Sequence, residues 1–412
     1  MFTTVLRQPP GHPWKPPQWE LLLPSMVVIN VIIISLCDGT SIPLLAFKLA
    51  TEELETFNIR VVVIDTYVFE NNATVRELAA SLREHINWPG TVTIFDDIAT
   101  FPDLAASLSP PTGALIVVMA GTPCTAISRG ARRATRKFNF GLHAPPSNLW
   151  WLAHKGIHTI AHRFKFRFVS FVENVIPGSQ VDLTELDATA GVRHTMSQHL
   201  SQPGTRDRYV WTSMAFSTPQ DINDYSPWYK FPDDFTMDFD SHSRRKYPTL
   251  RAIIPDKLFT LATQPSRLDH DEPSMLQKFF IHHVPTRQKI LPPIEVLVAI
   301  MGLPPSTAVA FRKAAPCTGL VTFINPAAQA RTTPCGQHFW CGPCSDIVKA
   351  LGNAWHGVTA AAHLRQLLAT HIYFIDTYDV SDTKDLLTKE TFPFHHFPHI
   401  CPAQCIHNRS VL

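Results

Sequence analysis

Charge is something this sequence has little of. Asp, Glu, Lys and Arg make up 17% of its 412 residues, and 36 basic against 34 acidic side chains leave a formal net charge of +2. So even a balance excludes a protein held to nucleic acid by its overall charge and leaves that role to local clusters. An uninterrupted apolar span is also lacking. The stretch Leu21 to Cys37 is broken by Pro24, Ser25 and Asn30 and is short for a bilayer, so no membrane segment is expected. The same stretch has neither the basic start nor the small-residue cleavage site of a signal peptide. The eight cysteines are therefore expected as thiols in a reducing compartment rather than as a disulfide scaffold. Finally, no GxGxxG follows any strand-like run, which argues against a dinucleotide pyrophosphate.

What is present is an ordinary apolar share of 45%, enough chain for one large or two modest domains, and 35 prolines that predict long irregular connections. Five of these prolines (9, 10, 13, 16 and 17) mark an extended N-terminal arm, residues 1–26. Val27 to Leu36, VVINVIIISL, is β-branched and suits a buried central strand. Further runs follow at Arg60 to Asp65, Thr91 to Phe95, Ala114 to Ala120 and Arg167 to Val172. The first four begin about 20 to 35 residues apart with helical patterns such as Val75 to His85 between them, the rhythm of βαβ units. The predicted fold is α/β, a Rossmann-like doubly wound, mostly parallel sheet.

Chemistry-bearing residues recur at the predicted carboxyl ends of these strands: Asp38-Gly39, Asp65, Asp96-Asp97, Cys124 and Glu173-Asn174. Open α/β sheets bind their ligands at this edge. A glycine turn after the first strand and an acid after the second suit a backbone approaching a nucleotide and a carboxylate accepting from ribose hydroxyls. A single strand-end Asp usually caps the next helix, and a single buried cysteine is usually a small hydrophobe. Five in register point to a site, with Cys124 as its nucleophile.

With these motifs in order, the stretch from Val31 to Leu368 resembles the cytosine-5 DNA methyltransferases, and looks most like the eukaryotic de novo-type enzymes. The resemblance implies an S-adenosylmethionine-dependent methyltransferase fold and activity. It assigns Ser35, Leu36, Cys37, Asp38 and Gly39 to the cofactor cradle, Asp65 and Thr66 to the ribose, Asp97 and Ile98 to the adenine, and Leu149 to the pocket wall. Gly121-Thr122-Pro123-Cys124 is similar to the catalytic loop, Glu173-Asn174-Val175 to the Glu-Asn-Val motif, and Arg206-Asp207-Arg208 to the Arg-x-Arg motif. Asn353, Ala354 and Trp355 lie in a segment similar to the closing motif that completes the cofactor pocket, and Arg287 through Gly302 resembles the motif before it. The chain departs from the family at Cys37, where phenylalanine is usual, at Ser41 and Gly204, and at Thr125 after the nucleophile. The implied layout is a catalytic domain from 27–211 and 287–375, a target-recognition region at 212–286 and a tail at 376–412. The implied partner is double-stranded DNA, with a homo- or hetero-oligomer allowed, and a eukaryotic member would be nuclear.

The resemblance also implies roles. Cys124 adds to carbon 6 of cytosine, Glu173 serves N3, Asn174 orients Glu173, and Arg206 and Arg208 hold the base carbonyl or a phosphate and favour the thiolate. The run RGARRATRK after the nucleophile (Arg129, Arg132, Arg133, Arg136 and Lys137) and the basic residues Lys230, Arg244, Arg245 and Lys246 are candidate DNA contacts.

Cys335, His338, Cys341 and Cys344 form CGQHFWCGPC, which could close around zinc, although structural sites normally use two separated pairs. The tail residues His395, His396, His399, Cys401, Cys405 and His407 raise the same question. Two alternatives to a DNA methyltransferase stand at this point: a weakly active or inactive DNA-binding relative, and an RNA cytosine methyltransferase. A cysteine hydrolase is disfavoured because no histidine stands in an obvious pairing context beside Cys124.

Overall fold

The computed structural model describes residues 26–124, 126–128, 141–197, 207–216, 235–236, 281–283, 285, 288–290, 293–316 and 342–377. Its centre is a seven-stranded mixed sheet, mostly parallel, built from β1 (Val27–Leu36), β2 (Ile59–Phe69), β3 (Thr91–Phe95), β4 (Leu115–Ala120), β5 (Phe168–Val175), β6 (Val192–Ser197) and β7 (Asp207–Thr212). The order across the sheet is β3-β2-β1-β4-β5-β7-β6, and β7 runs antiparallel to both of its neighbours. The molecule is thus α/β with a Rossmann-like sheet.

Helices cover both faces: α1 (Ile42–Glu55), α2 (Ala73–His85), α3 (Phe101–Ser107), α4 (Leu149–Phe164), α5 (Gln180–Thr189), α6 (Ile294–Ile300), α7 (Thr307–Ala314), α8 (Gly342–Asn353) and α9 (Gly357–Thr377). The two-residue period of a strand explains how one apolar run serves both layers. In β4, Leu115, Val117 and Met119 join a core with α1, α2 and α6 through α9, while Ile116, Val118 and Ala120 join a second core with α3, α4 and α5. In β5, Val169 and Phe171 face the first core and Phe168 and Val172 the second. Residues from both sides of the 212–286 region therefore share one core. A small sheet, β8 (Phe235–Thr236), β9 (Ile281–His283) and β10 (Gln288–Ile290), pairs in the order β10-β9-β8. No described helix is long and apolar enough to cross a membrane.

Two strand boundaries differ from the sequence expectation by more than one residue. β2 runs four residues beyond Asp65, to Phe69, because it pairs with β1 and β3 along Thr66 to Phe69. β1 Val31 pairs with Val63 and Ile32 with Asp65, so Ile64 is an extra residue and shifts the register there. β5 continues through Glu173 and Asn174 to Val175, because β7 lies alongside those positions. Glu173 and Asn174 thus lie within the strand, just before its last residue, and not in a loop beyond it.

The crevice of interest lies between β1 and β4, where the order of strands reverses. β1 connects outward to β2 and β3 on one side, and β4 to β5 on the other. The loops leaving the two strands diverge there, so the carboxyl edge opens.

Candidate functional site

The loop leaving β1 is built around one buried carboxylate. Ser35 and Ser41 each donate a hydroxyl to Asp38, to Oδ1 and Oδ2, at 2.5 Å. Arg83 from α2 donates to Ser41 Oγ at 2.6 Å and lies 3.9 Å from Asp38 Oδ2. Burial raises the Asp38 carboxyl to about 6, although both serine hydrogen bonds and the Arg83 charge pull the other way. Cys37, Gly39 and Ser41 have φ of 52°, 62° and 60°, left-handed values that cost a residue with a side chain about 1 kcal/mol each. The Asp38 bonds hold that conformation. Cys37 is half-buried, and desolvation, then the charges of Glu70 and Asp38, push its thiol up to about 12, so it stays protonated and unreactive at neutral pH.

The acid that meets this loop is Glu70, which the sequence reading missed. Its Oε2 accepts from Gly39 N at 3.0 Å and its Oε1 from Asn72 N at 2.9 Å. Burial raises its carboxyl above the ordinary range. Asp65, expected in this role, is corrected: it lies within β2, opposite Ile32 and Thr91 and remote from the strand's end. Thr66 is corrected with it, since its buried hydroxyl accepts from Trp88 Nε1 at 3.0 Å. The missed signal was the run Tyr67-Val68-Phe69, which continues the strand's apolar pattern past two polar residues. A Cβ at Gly39 would meet nothing within 4 Å, so the loop backbone faces open space beside Glu70. A ligand bearing hydroxyls fits here, because each Glu70 oxygen already bonded to a backbone N–H keeps a second lone pair.

The loop after β4 carries Cys124. It is tethered at Gly121, whose N–H donates to Leu36 O at 3.1 Å, and beyond the cysteine, where Ile127 N and Ser128 N donate to Cys124 O at 3.1 and 2.9 Å. Ala126 N donates to Ser147 Oγ at 3.1 Å, and Gly178 N to Ile127 O at 2.9 Å. Cys124 is half-buried beside the second core.

β5 supplies the partners. Asn174 Nδ2 donates to Thr122 O at 3.2 Å and to Thr122 Oγ1 at 3.1 Å, and its Oδ1 accepts from Val175 N at 2.8 Å. Asn174 therefore clamps the Cys124 loop, and its amide bonds to Thr122 and Val175 where the expectation had it orienting Glu173. Glu173, only 6% exposed, lies with Oε1 3.0 Å from Arg208 Nε. β7 sets this pair: Val175 is opposite Arg208, so Glu173 and Arg208 are diagonal neighbours across the two strands.

The remaining expected residues divide into three groups. Asp97 accepts from Ala99 N at 2.8 Å and caps a single 3-10 turn, and Ile98 follows it, buried. Leu149 opens α4, half-buried at the edge of the second core, and Ala354 is buried while Asn353 is exposed. Trp355, 2% exposed, packs into the first core, against Phe171 at 5.1 Å between ring centroids and over Gly121.

Arg206, Thr125, Arg129, Arg132, Arg133, Arg136, Lys137, Gly204, Lys230, Arg244, Arg245 and Lys246 lie outside the described residues, as do Cys335, His338, Cys341 and the histidines and cysteines of the tail. Cys344 is fully buried in the first core among Ile347 and Val348, a position that suits packing. Among the described residues no group of three or more His, Cys, Asp or Glu is placed to hold a metal.

The structure thus brings together at one sheet edge a thiol on a tethered loop, a buried carboxyl paired with a guanidinium, and a strained loop with its own acid. Such a set can perform nucleophilic addition beside a bound second substrate. No protein-family model matches the chain, and no curated protein matches it.

Proposed function

We propose that this protein transfers a methyl group from S-adenosylmethionine to carbon 5 of cytosine in DNA. The observation that carries the reading is the convergence of Cys124, Asn174 and the Glu173–Arg208 pair at the ends of β4 and β5, one strand away from the Asp38–Gly39 loop. Each of these does a different job in that one reaction. The strand order, with β7 reversed beside β5, also supports a methyltransferase-type sheet.

The residues of the β1 loop fit the cofactor. Glu70 would accept from its ribose hydroxyls, the open backbone at Gly39 would allow close approach, and Asp97 and Ile98 stand at the end of β3 for its adenine. Bound there, S-adenosylmethionine supplies an electrophilic methyl carbon on a sulfonium. Carbon 5 of cytosine is too weak a nucleophile to take that methyl unaided. Cys124, as thiolate, adds to carbon 6 and forms a carbon–sulfur bond, and the displaced electron pair makes carbon 5 an enamine carbon. Glu173 provides the hydrogen bond or proton that N3 requires as charge moves toward it, and Arg208 holds Glu173 in place. Asn174 keeps the Cys124 loop against β5. With the methyl group on carbon 5 and the cofactor's sulfur left as a neutral thioether, the carbon 5 proton would pass to water, and the freed electron pair would expel Cys124 as thiolate and break the carbon–sulfur bond. A paired base cannot reach such a site and must be flipped out, as for methyltransferases in general. The run Arg129 to Lys137, directly after the nucleophile loop in sequence, supplies charges suited to phosphate contact.

The test is transfer of labelled methyl from S-adenosylmethionine to duplex DNA and to tRNA by wild type and by Cys124→Ala. Transfer to duplex DNA that disappears in Cys124→Ala is the expected result. Transfer that survives the substitution refutes the covalent step, and transfer confined to tRNA replaces DNA as substrate.

A further inference from the structure

We propose that Trp355 is a positioning residue for the nucleophile loop, and that the corner between α8 and α9 acts as a wedge whose position sets that of Cys124. The inference rests on the proposed role of Cys124 as nucleophile. The first observation is at Gly121, the residue where β4 ends and the loop to Cys124 begins. A Cβ built there would lie 2.7 Å from Trp355 Nε1, with Cδ1 and Cε2 of the same indole at 3.6 and 3.7 Å. Real Cβ atoms do not come so close to a ring, so only glycine lets the loop start where it does.

The indole itself has little room to retreat. It is buried at 2% exposure and backed by Phe171 of β5. The backbone two and three residues beyond it is held to the turn after α6: Gly357 N donates to Met301 O at 2.8 Å, and Val358 N to Gly302 O at 3.0 Å. Gly302 is a second keyhole, since a Cβ there would lie 2.4 Å from His356 Cε1. The corner Ala354 to Val358 is thus seated in the turn after α6, and its tryptophan rests on the loop that carries the thiol. Asn174 holds that loop from the other side through Thr122. Between these two supports the start of the loop has one position.

A displacement of about 1 Å at a reacting atom can cost about 100-fold in rate, and that is the effect expected of crowding Gly121. The experiment uses the full chain with Gly121→Ala, alone and combined with Trp355→Leu, whose side chain ends one atom short of Nε1. A second combination, with Phe171→Leu, keeps the indole but gives it space to move. Two readouts are taken on each variant whose thermal melt remains cooperative: single-turnover methyl transfer, and the rate of Cys124 alkylation by iodoacetamide, followed by peptide mass spectrometry. Gly121→Ala should lower the single-turnover rate about 100-fold and alter the alkylation rate at least about fivefold, and either second substitution should restore most of both. A Gly121→Ala protein with wild-type alkylation, or one that neither second substitution rescues, overturns the proposal. If wild type transfers no methyl group but the alkylation pattern holds, the functional reading falls and the positioning role of Trp355 stands.

Discussion

Glu173 and Arg208 decide most at the scale of single residues. Their side chains are 8% and 14% exposed and 3.0 Å apart, so each compensates a charge that would otherwise be buried alone. Removing one partner of such a pair costs about 3 to 5 kcal/mol, whereas removing both charges costs less. Arg208→Ala is therefore expected to lower the urea midpoint strongly, and Arg208→Ala combined with Glu173→Gln to recover part of the loss. Activity should behave differently: Glu173→Gln alone should also lower the urea midpoint, but in protein that is still folded it should reduce methyl transfer by about 100- to 10,000-fold, because the amide keeps the shape but cannot give up a proton. Recovery of stability without recovery of transfer is the signature to look for. The identities of these residues were legible in the sequence as an acid at a strand end and an arginine in a later strand. Their contact was not, because it depends on the register of β7 against β5.

Among elements, β1 and β3 have the boundaries expected of them, Val27–Leu36 and Thr91–Phe95, since apolar and β-branched runs closed by turn residues leave little choice. β2 was read short. Asp65 and Thr66 interrupt its pattern, and only pairing to β1 and β3 carries the strand through them to the residue before Glu70. That extension places Glu70, and the turn after it hands over to α2 through Asn72, whose side chain accepts from Val75 N at 3.2 Å. Asn72→Ala should cost about 1 kcal/mol by loss of this cap, measured by chemical denaturation. Because Asn72 N also donates to Glu70 Oε1, the same substitution should leave cofactor affinity nearly unchanged, as the backbone donor remains. Glu70→Gln, in contrast, should weaken binding of the proposed cofactor, S-adenosylmethionine, about tenfold by calorimetry, since a carboxylate accepts on both oxygens and an amide on one.

For the whole molecule, buried titratable groups predict the response to acid. His194 and His371, at 8% and 5% exposure, are each held down to about 4, His194 by desolvation and then the neighbouring His363, and His371 by desolvation. An unfolded histidine takes its proton near pH 6.5, so below that value the unfolded state binds protons the folded state refuses. Stability from these two is present above pH 6.5 and lost as pH falls toward 4, by roughly 3 kcal/mol each. Asp38 acts with the opposite sign. Raised to about 6, it keeps its proton when folded, so its contribution is complete below its unfolded value and is lost as pH rises through 6. Two histidines outweigh one aspartate, and the urea midpoint should fall from pH 7 to pH 5. His371→Leu should flatten that slope and Asp38→Asn should steepen it.

The layer order of this protein was determined by its sequence alone: β-branched runs of strand length alternate with helical patterns, and such runs have no stable place except between two layers of helix. So was the set of side chains available at that sheet edge, because a thiol, a carboxyl and a guanidinium near strand ends are covalent facts. Tertiary structure decided which of those groups meet. Register put Arg208 on Glu173, extended β2 to Glu70, and turned Asn174 toward Thr122; packing turned Trp355 away from solvent and onto Gly121. The physical reason is the same in each case: strand pairing and core packing join residues far apart in sequence, and no local pattern carries that information.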